Sequence, residues 1–118
     1  MKKILVSVLV LSSLIGGRIV SAQAAEEART IYQERCMTCH GETGNGDGPA
    51  AAVLNPKPKD FQDCGAMSQI TDEQLFNAIK GGGQSVGLSP LMPAWSAAVT
   101  DPQIHALVAY IRNFCKRQ

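Results

Sequence analysis

The donors that could bind a metal or carry redox chemistry are concentrated in one run of five residues, Cys36-Met37-Thr38-Cys39-His40. Two thiols three positions apart near the end of a helix lie on one side of it, where each can form a thioether with a vinyl group along one edge of a haem. A histidine directly after the second thiol is then held beneath the iron as an axial ligand. Cys36, Cys39 and His40 are therefore the candidate attachment residues for haem c, one per chain, covalently bound. A C-x-x-C alone would also suit a thioredoxin-like redox pair, but that pair follows a strand and opens a helix, whereas this motif closes one. A zinc site would need further Cys or His at knuckle spacing, and the other histidine is the isolated His105.

Iron held in this way takes its second axial ligand from the opposite face. Met37 lies inside the attachment motif and cannot reach that face, which leaves Met67 and Met92. Met92 sits in Ser89-Pro90-Leu91-Met92-Pro93-Ala94-Trp95, a loop stiffened by two prolines. A loop ordered in advance lowers the entropy lost when a weak thioether ligand binds. Met92 is the expected ligand; its alternative role is to fill a gap in the core, and Met67 is the reserve. Trp95 either donates its indole N–H to a haem propionate or packs on the macrocycle. With both axial positions filled the iron has no open site, which predicts an electron carrier at positive potential, not an enzyme.

Helices must position these groups. Ala28, Ile31, Tyr32, Arg35, Cys36 and Cys39 recur at spacings of three and four, which makes an N-terminal helix with both thiols on one side. Thr71-Asp72-Glu73-Gln74 is a capping box that opens a helix burying Leu75, Phe76 and Ile79 and ending at Gly81. Gly48-Pro49 starts a short helical piece that runs to Leu54. Asp101 as N-cap and Pro102 in the first turn begin a last helix with the stripe Ile104, Leu107, Val108, Ile111 and Cys115. No stretch alternates as a strand should, so an all-α fold is predicted.

Across residues 28 to 114 the chain resembles the class I, or mitochondrial-like, cytochromes c of the small bacterial monohaem type. The resemblance rests on the attachment motif, on Ala28 and Tyr32 eight and four positions before Cys36, on Leu107 and Tyr110, and on a proline directly after Met92. It implies N- and C-terminal helices that cross, with short helices and loops wrapped around the haem. It also implies that the carbonyl of Pro49 accepts a hydrogen bond from His40. The glycines at 41, 44, 46 and 48 then belong to a turn-rich crossing beneath the haem.

The chain has 118 residues, the length of one domain, with one Trp, two Tyr and three Phe. So small a supply of large side chains calls for a cofactor or a covalent staple. Lys2 and Lys3, the apolar run Ile4 to Ile15 and Ala22-Gln23-Ala24 read as a secretory signal peptide over residues 1–24, with 25–118 the monohaem domain. The apolar run is shorter than the ~20 residues of a membrane span, although an uncleaved anchor is the alternative. Cleavage after Ala22 is the other option.

Loss of Lys2, Lys3 and Arg18 reduces 11 basic residues to eight against 10 acidic ones. That balance excludes a nucleic-acid-binding surface. The expected location is the periplasm, where the two cysteines outside the motif, Cys64 and Cys115, would pair as a disulfide, the alternative being two separately buried thiols. Lys57 and Lys59 suit a docking patch or a solvated loop, and His105 lies off the apolar stripe. The expected partners are transient redox proteins meeting the haem edge, with no small-molecule substrate, and with membrane contact only through such partners or an uncleaved leader. The other functional readings are an electron-wiring subunit of a larger dehydrogenase or terminal oxidase, and a haem enzyme or gas sensor with a labile sixth ligand.

Overall fold

The small apolar face of the first helix dictates how the chain packs. In the computed structural model, which describes residues 21–116, helix α1 covers 21–35 and buries Ala28, Ile31 and Tyr32. The expected signal peptide falls mostly on residues outside that range. After α1 come α2 (Met37–His40), a 3₁₀ turn (Ala51–Val53), α3 (Cys64–Ser68), α4 (Asp72–Gly81), a second 3₁₀ turn (Gly83–Val86) and α5 (Asp101–Lys116). Among the described residues there is no strand, and the fold is all-α. No helix among them is long and apolar enough to cross a membrane.

Helix α1 packs against α5 through Tyr32, whose ring centroid lies 5.2 Å from those of both Tyr110 and Phe114. Ala28 is 1% exposed, and Gln103 donates to the Glu27 carboxylate at 2.6 Å. Tyr32, Met67, Ile104 and Leu107 are the largest fully buried side chains. Each contributes about 1.5 to 3 kcal/mol of apolar burial as an upper estimate.

Helix α4 begins at the expected capping box: Gln74 N–H donates to Thr71 Oγ1 at 3.1 Å and Thr71 N–H to Gln74 Oε1 at 2.8 Å. It buries Leu75 and Ile79 and ends where Gly82 adopts φ 80°. Helices α4 and α5 are joined by Lys80–Asp101 at 2.8 Å and Arg112–Asp72 at 2.9 Å.

Three local expectations need correction. Thr100, not Asp101, caps α5: Thr100 N–H donates to Gln103 Oε1 at 2.8 Å and Gln103 N–H to Thr100 Oγ1 at 3.4 Å. The Gln three residues on completes a reciprocal pair, which frees Asp101 for the first helical turn, where a carboxylate suits the helix dipole. The apolar stripe of α5 ends on Phe114, 4% exposed, while Cys115 is half-buried, because Phe114 fills the space beside Tyr32. Cys64 opens α3 and does not sit in a turn, since the Asp63 side chain accepts from Ala66 N–H at 2.9 Å and starts a helix there.

Candidate functional site

The attachment motif is a single helical turn braced from both sides. Cys36 N–H donates to Tyr32 O at 2.9 Å, continuing the hydrogen bonding of α1, and His40 N–H donates to Cys36 O at 2.9 Å. From behind, Gly48 N–H donates to Cys39 O at 3.2 Å and Ala50 N–H to Thr38 O at 2.9 Å. A Cβ on Gly48 would lie 2.3 Å from the Thr38 carbonyl oxygen, so only glycine permits this approach. The chain leaves His40 through Gly41 at φ 84°, whose carbonyl accepts from the buried Tyr32 hydroxyl at 2.7 Å. Burial raises the Tyr32 phenol above its ordinary range and keeps it a donor.

His40 stacks on Phe61, with centroids 4.5 Å apart and planes at 13°. Its Nδ1 lies 3.3 Å from the carbonyl oxygen of Lys59. A carbonyl can only accept, so Nδ1 carries the proton and Nε2 keeps its lone pair. Burial lowers the His40 pKa, which favours the same neutral ring. This is the state a metal-ligating imidazole needs. The carbonyl that fixes it is not that of Pro49: Pro49 is exposed and lies outside the cleft lining. The segment around Gly48 is tied to the backbone of the motif, and the chain reaches His40 only after it turns back at Pro58 and Lys59.

The methionine segment is held by the end of α4 and the turn after it. Gly83 N–H donates to Met92 O at 2.9 Å, Leu88 N–H to Gly83 O at 2.8 Å and Trp95 N–H to Ile79 O at 3.1 Å. This segment and the attachment motif share a cleft of about 1060 Å³, its open mouth included. Cys36, Cys39 and His40 line it together with Met92, Pro93 and Trp95, and Ile79 and Ile111 are also in the lining. No carboxylate lines it, whereas Arg35, Lys57 and Lys59 do, so acidic groups on an occupant meet only cations. An imidazole nitrogen, a thioether, two correctly spaced thiols and apolar walls make a donor set that fits haem c.

Met67 is 2% exposed in the core and does not line the cleft. His105 is also outside it, exposed and stacked on Phe76 at 4.6 Å. Lys57 is no free docking charge: its Nζ donates to the carbonyls of Ala51 at 2.7 Å and Ala52 at 3.0 Å. Cys64 and Cys115 lie away from the cleft with Cα atoms 5.4 Å apart, inside the range a bridge requires.

The cysteine chemistry also separates the alternatives. Burial, with Cys39 adding to it, pushes the Cys36 thiol up to about 11. A thioredoxin-type pair needs the reverse, a thiolate stabilised at a helix N-terminus. Among the described residues no three Cys, His, Asp or Glu side chains converge as a metal-ion site, which leaves the zinc alternative without a ligand set.

Three contributors were not anticipated. Phe61 and the Lys59 carbonyl approach His40 only through the tertiary fold, although Phe61 directly follows a run rich in Pro and Lys that signals an ordered loop. In the sequence Arg35 belongs to a helical face, and its position next to Cys36 is the signal that it lies near the site.

Comparison with known proteins gives consistent results. Residues 23–111 match the family described as cytochrome c oxidase, cbb3-type, subunit III. The cbb3-type cytochrome c oxidase subunit CcoP of Azospirillum brasilense is 33% identical over 99 residues, which are 81% of this chain and 30% of that protein. The same subunit of Azospirillum sp. (strain B510) is 27% identical over 84% of this chain and 31% of that protein. The chain thus spans about a third of the length of these relatives. Among solved structures, the KustC0563 c-type cytochrome aligns at TM-score 0.58 with 25% identity, over 74% of this chain and 95% of its own. The Kuenenia stuttgartiensis reducing HAO-like protein complex Kustc0457/Kustc0458 aligns at TM-score 0.61 with 26% identity, over 75% of this chain and 41% of the other.

Proposed function

We propose that this chain, which belongs to the cbb3-type cytochrome c oxidase subunit III family and is an electron-transfer c-type cytochrome, is a one-haem carrier with both axial positions of its iron filled. The observation that supports the reading is that Cys36, Cys39, His40 and Met92 all line the same cleft. Haem, when bound, supplies a one-electron couple. The two thiols would hold it covalently, His40 would ligate through Nε2 and Met92 through its thioether. The Met92 segment and the apolar lining exclude water, which favours the reduced state. Trp95 contributes ring area to the same lining.

With no open coordination position the chain is a carrier and not an enzyme, and electrons enter and leave at the haem edge, through redox protein partners. Export to the periplasm after removal of residues 1–24 accords with this role, and in that compartment Cys64 and Cys115 form a disulfide. A second reading is that the domain wires a larger assembly; it is favoured by relatives described as oxidase subunits and about three times as long. The test of the carrier reading is exposure of the reduced holoprotein to carbon monoxide at neutral pH. The expected result is an unchanged spectrum and a single one-electron wave in potentiometry; rapid formation of a carbon monoxide adduct would overturn it. Elution of the native material at monomer size, or with a larger complex, separates the free carrier from the subunit.

A further inference from the structure

The attachment motif and the methionine segment share the cleft lining but belong to different parts of the chain, and the hydrogen bonds of the methionine segment do little to join them. Among the described residues, the backbone hydrogen bonds of 88–96 run to the end of α4, to Gly83 in the second 3₁₀ turn, to Ala98 and Val99, or within the segment itself. Besides the three given above, Ser96 N–H donates to Lys80 O at 3.3 Å and Met92 N–H to Ser89 O at 3.2 Å. None reaches α1 or α2. One contact does span the gap: the Arg35 guanidinium carbon lies 5.6 Å from the centroid of the Trp95 ring, within cation–π range.

The placement of both partners gives this contact leverage. Arg35 is the last residue of α1, directly before Cys36, and Trp95 comes three residues after Met92. Trp95 is fixed at the base of the segment, since its carbonyl accepts from Ala98 N–H at 2.9 Å and Val99 N–H at 2.8 Å. The ion pairs of the described residues, Arg29–Glu26, Lys80–Asp101 and Arg112–Asp72, do not include Arg35. Both Arg35 and Trp95 line the cleft.

We propose that Arg35 and Trp95 form a latch between the haem-attachment helix and the methionine segment, and that Arg35 is thereby a positioning residue for the Met92 ligand. The latch rests on the assignment of Met92 as ligand. It stabilises the state in which the segment is closed on the iron, so its loss raises the fraction of protein in which an outside ligand can displace the thioether.

The test is a double-mutant cycle on the ferric holoprotein, with imidazole as the probe that competes with Met92. Arg35→Gln is expected to tighten imidazole binding about two- to fivefold, the range for an exposed cation–π contact. Arg35→Lys, which keeps a cation, should lie closer to wild type. Trp95→Leu should also tighten binding, and adding Arg35→Gln to it should change little further. Unchanged affinity in Arg35→Gln, or effects that multiply in the double variant, would overturn the latch. The two assignments fail differently. A wild-type protein without the weak sulfur-to-ferric-iron band removes the Met92 ligand and the latch together, whereas a normal band with independent variants removes the latch alone.

Discussion

Replacing Gly83 by alanine would put a methyl group against the carbonyl that begins the methionine segment. The added Cβ would lie 2.1 Å from Ser89 O, 3.0 Å from Ser89 C and 3.2 Å from Met92 Cβ. Gly83 is not among the positive-φ glycines, so the cost is steric. Relief requires the Ser89 carbonyl to retreat by about 1.3 Å to reach ordinary contact distance. The segment that would move carries Met92, and the Gly83 N–H to Met92 O bond ties the two together. Overpacking of this kind costs about 1 to 3 kcal/mol. If that cost falls on the closed state, displacement of the thioether becomes roughly 5- to 150-fold easier. Imidazole titration of the ferric holoprotein measures this directly, with loss of the sulfur-to-iron band as the second readout. Gly65→Ala is the control, because its Cβ would stop 3.4 Å from Asp63 Oδ1 in a helix outside the cleft. It should leave the spectrum unchanged and stabilise the protein by up to about 1 kcal/mol. A Gly83→Ala protein with wild-type band and imidazole affinity would refute the idea that the Gly82–Gly83 turn sets the position of the ligand.

Removal of the Cys64–Cys115 bridge, which spans 51 residues, should cost about 4 kcal/mol in the chain-entropy model. Denaturant melts of the Cys64→Ser/Cys115→Ser variant measure that loss, and two titratable thiols in the unfolded, unreduced wild-type holoprotein would contradict the bridge. Tyr32→Phe removes the 2.7 Å donor of the Gly41 carbonyl, which still accepts from Gly44 N–H at 3.2 Å, and should cost about 0.5 to 1.5 kcal/mol. Because burial raises the Tyr32 phenol, the unfolded chain gives up that proton first, so stability should fall as pH climbs past about 10. The Phe variant should lack that share of the alkaline loss, and identical alkaline profiles for the two proteins would contradict it.

What the sequence made legible follows from how local each signal is. The spacing of Cys36, Cys39 and His40 is itself the chemistry, and the capping box at Thr71 and Gln74 closes within one turn, so both could be read without a fold. Two prolines mark the Met92 segment as an ordered loop, which makes Met92 the expected ligand ahead of Met67 in its Gly-Ala-Met-Ser stretch. The Pro49 expectation failed because a carbonyl partner depends on how an eight-residue glycine-rich loop is threaded. Asp101 lost the cap of α5 to Thr100 because Gln103 reaches back, a choice between two good caps that propensity does not make. Phe61 carries only the signal of the Pro- and Lys-rich loop before it, and Arg112 carries none. Phe61 matters through a face-to-face contact with His40, and Arg112 through donation to the carbonyls of Met67 and Ile70 at the end of α3. Neither contact has a periodicity or a motif.

The central claim is that one haem is held by Cys36 and Cys39 between His40 and Met92, with no coordination position left open. Its most direct measurement is the optical spectrum of the ferric holoprotein in wild type, Met92→Ala and Met67→Ala, alongside the intact mass of each. The account predicts a mass with one haem added and a sulfur-to-iron band that is present in wild type and Met67→Ala and absent in Met92→Ala. A band that survives Met92→Ala, or disappears in Met67→Ala, would contradict it.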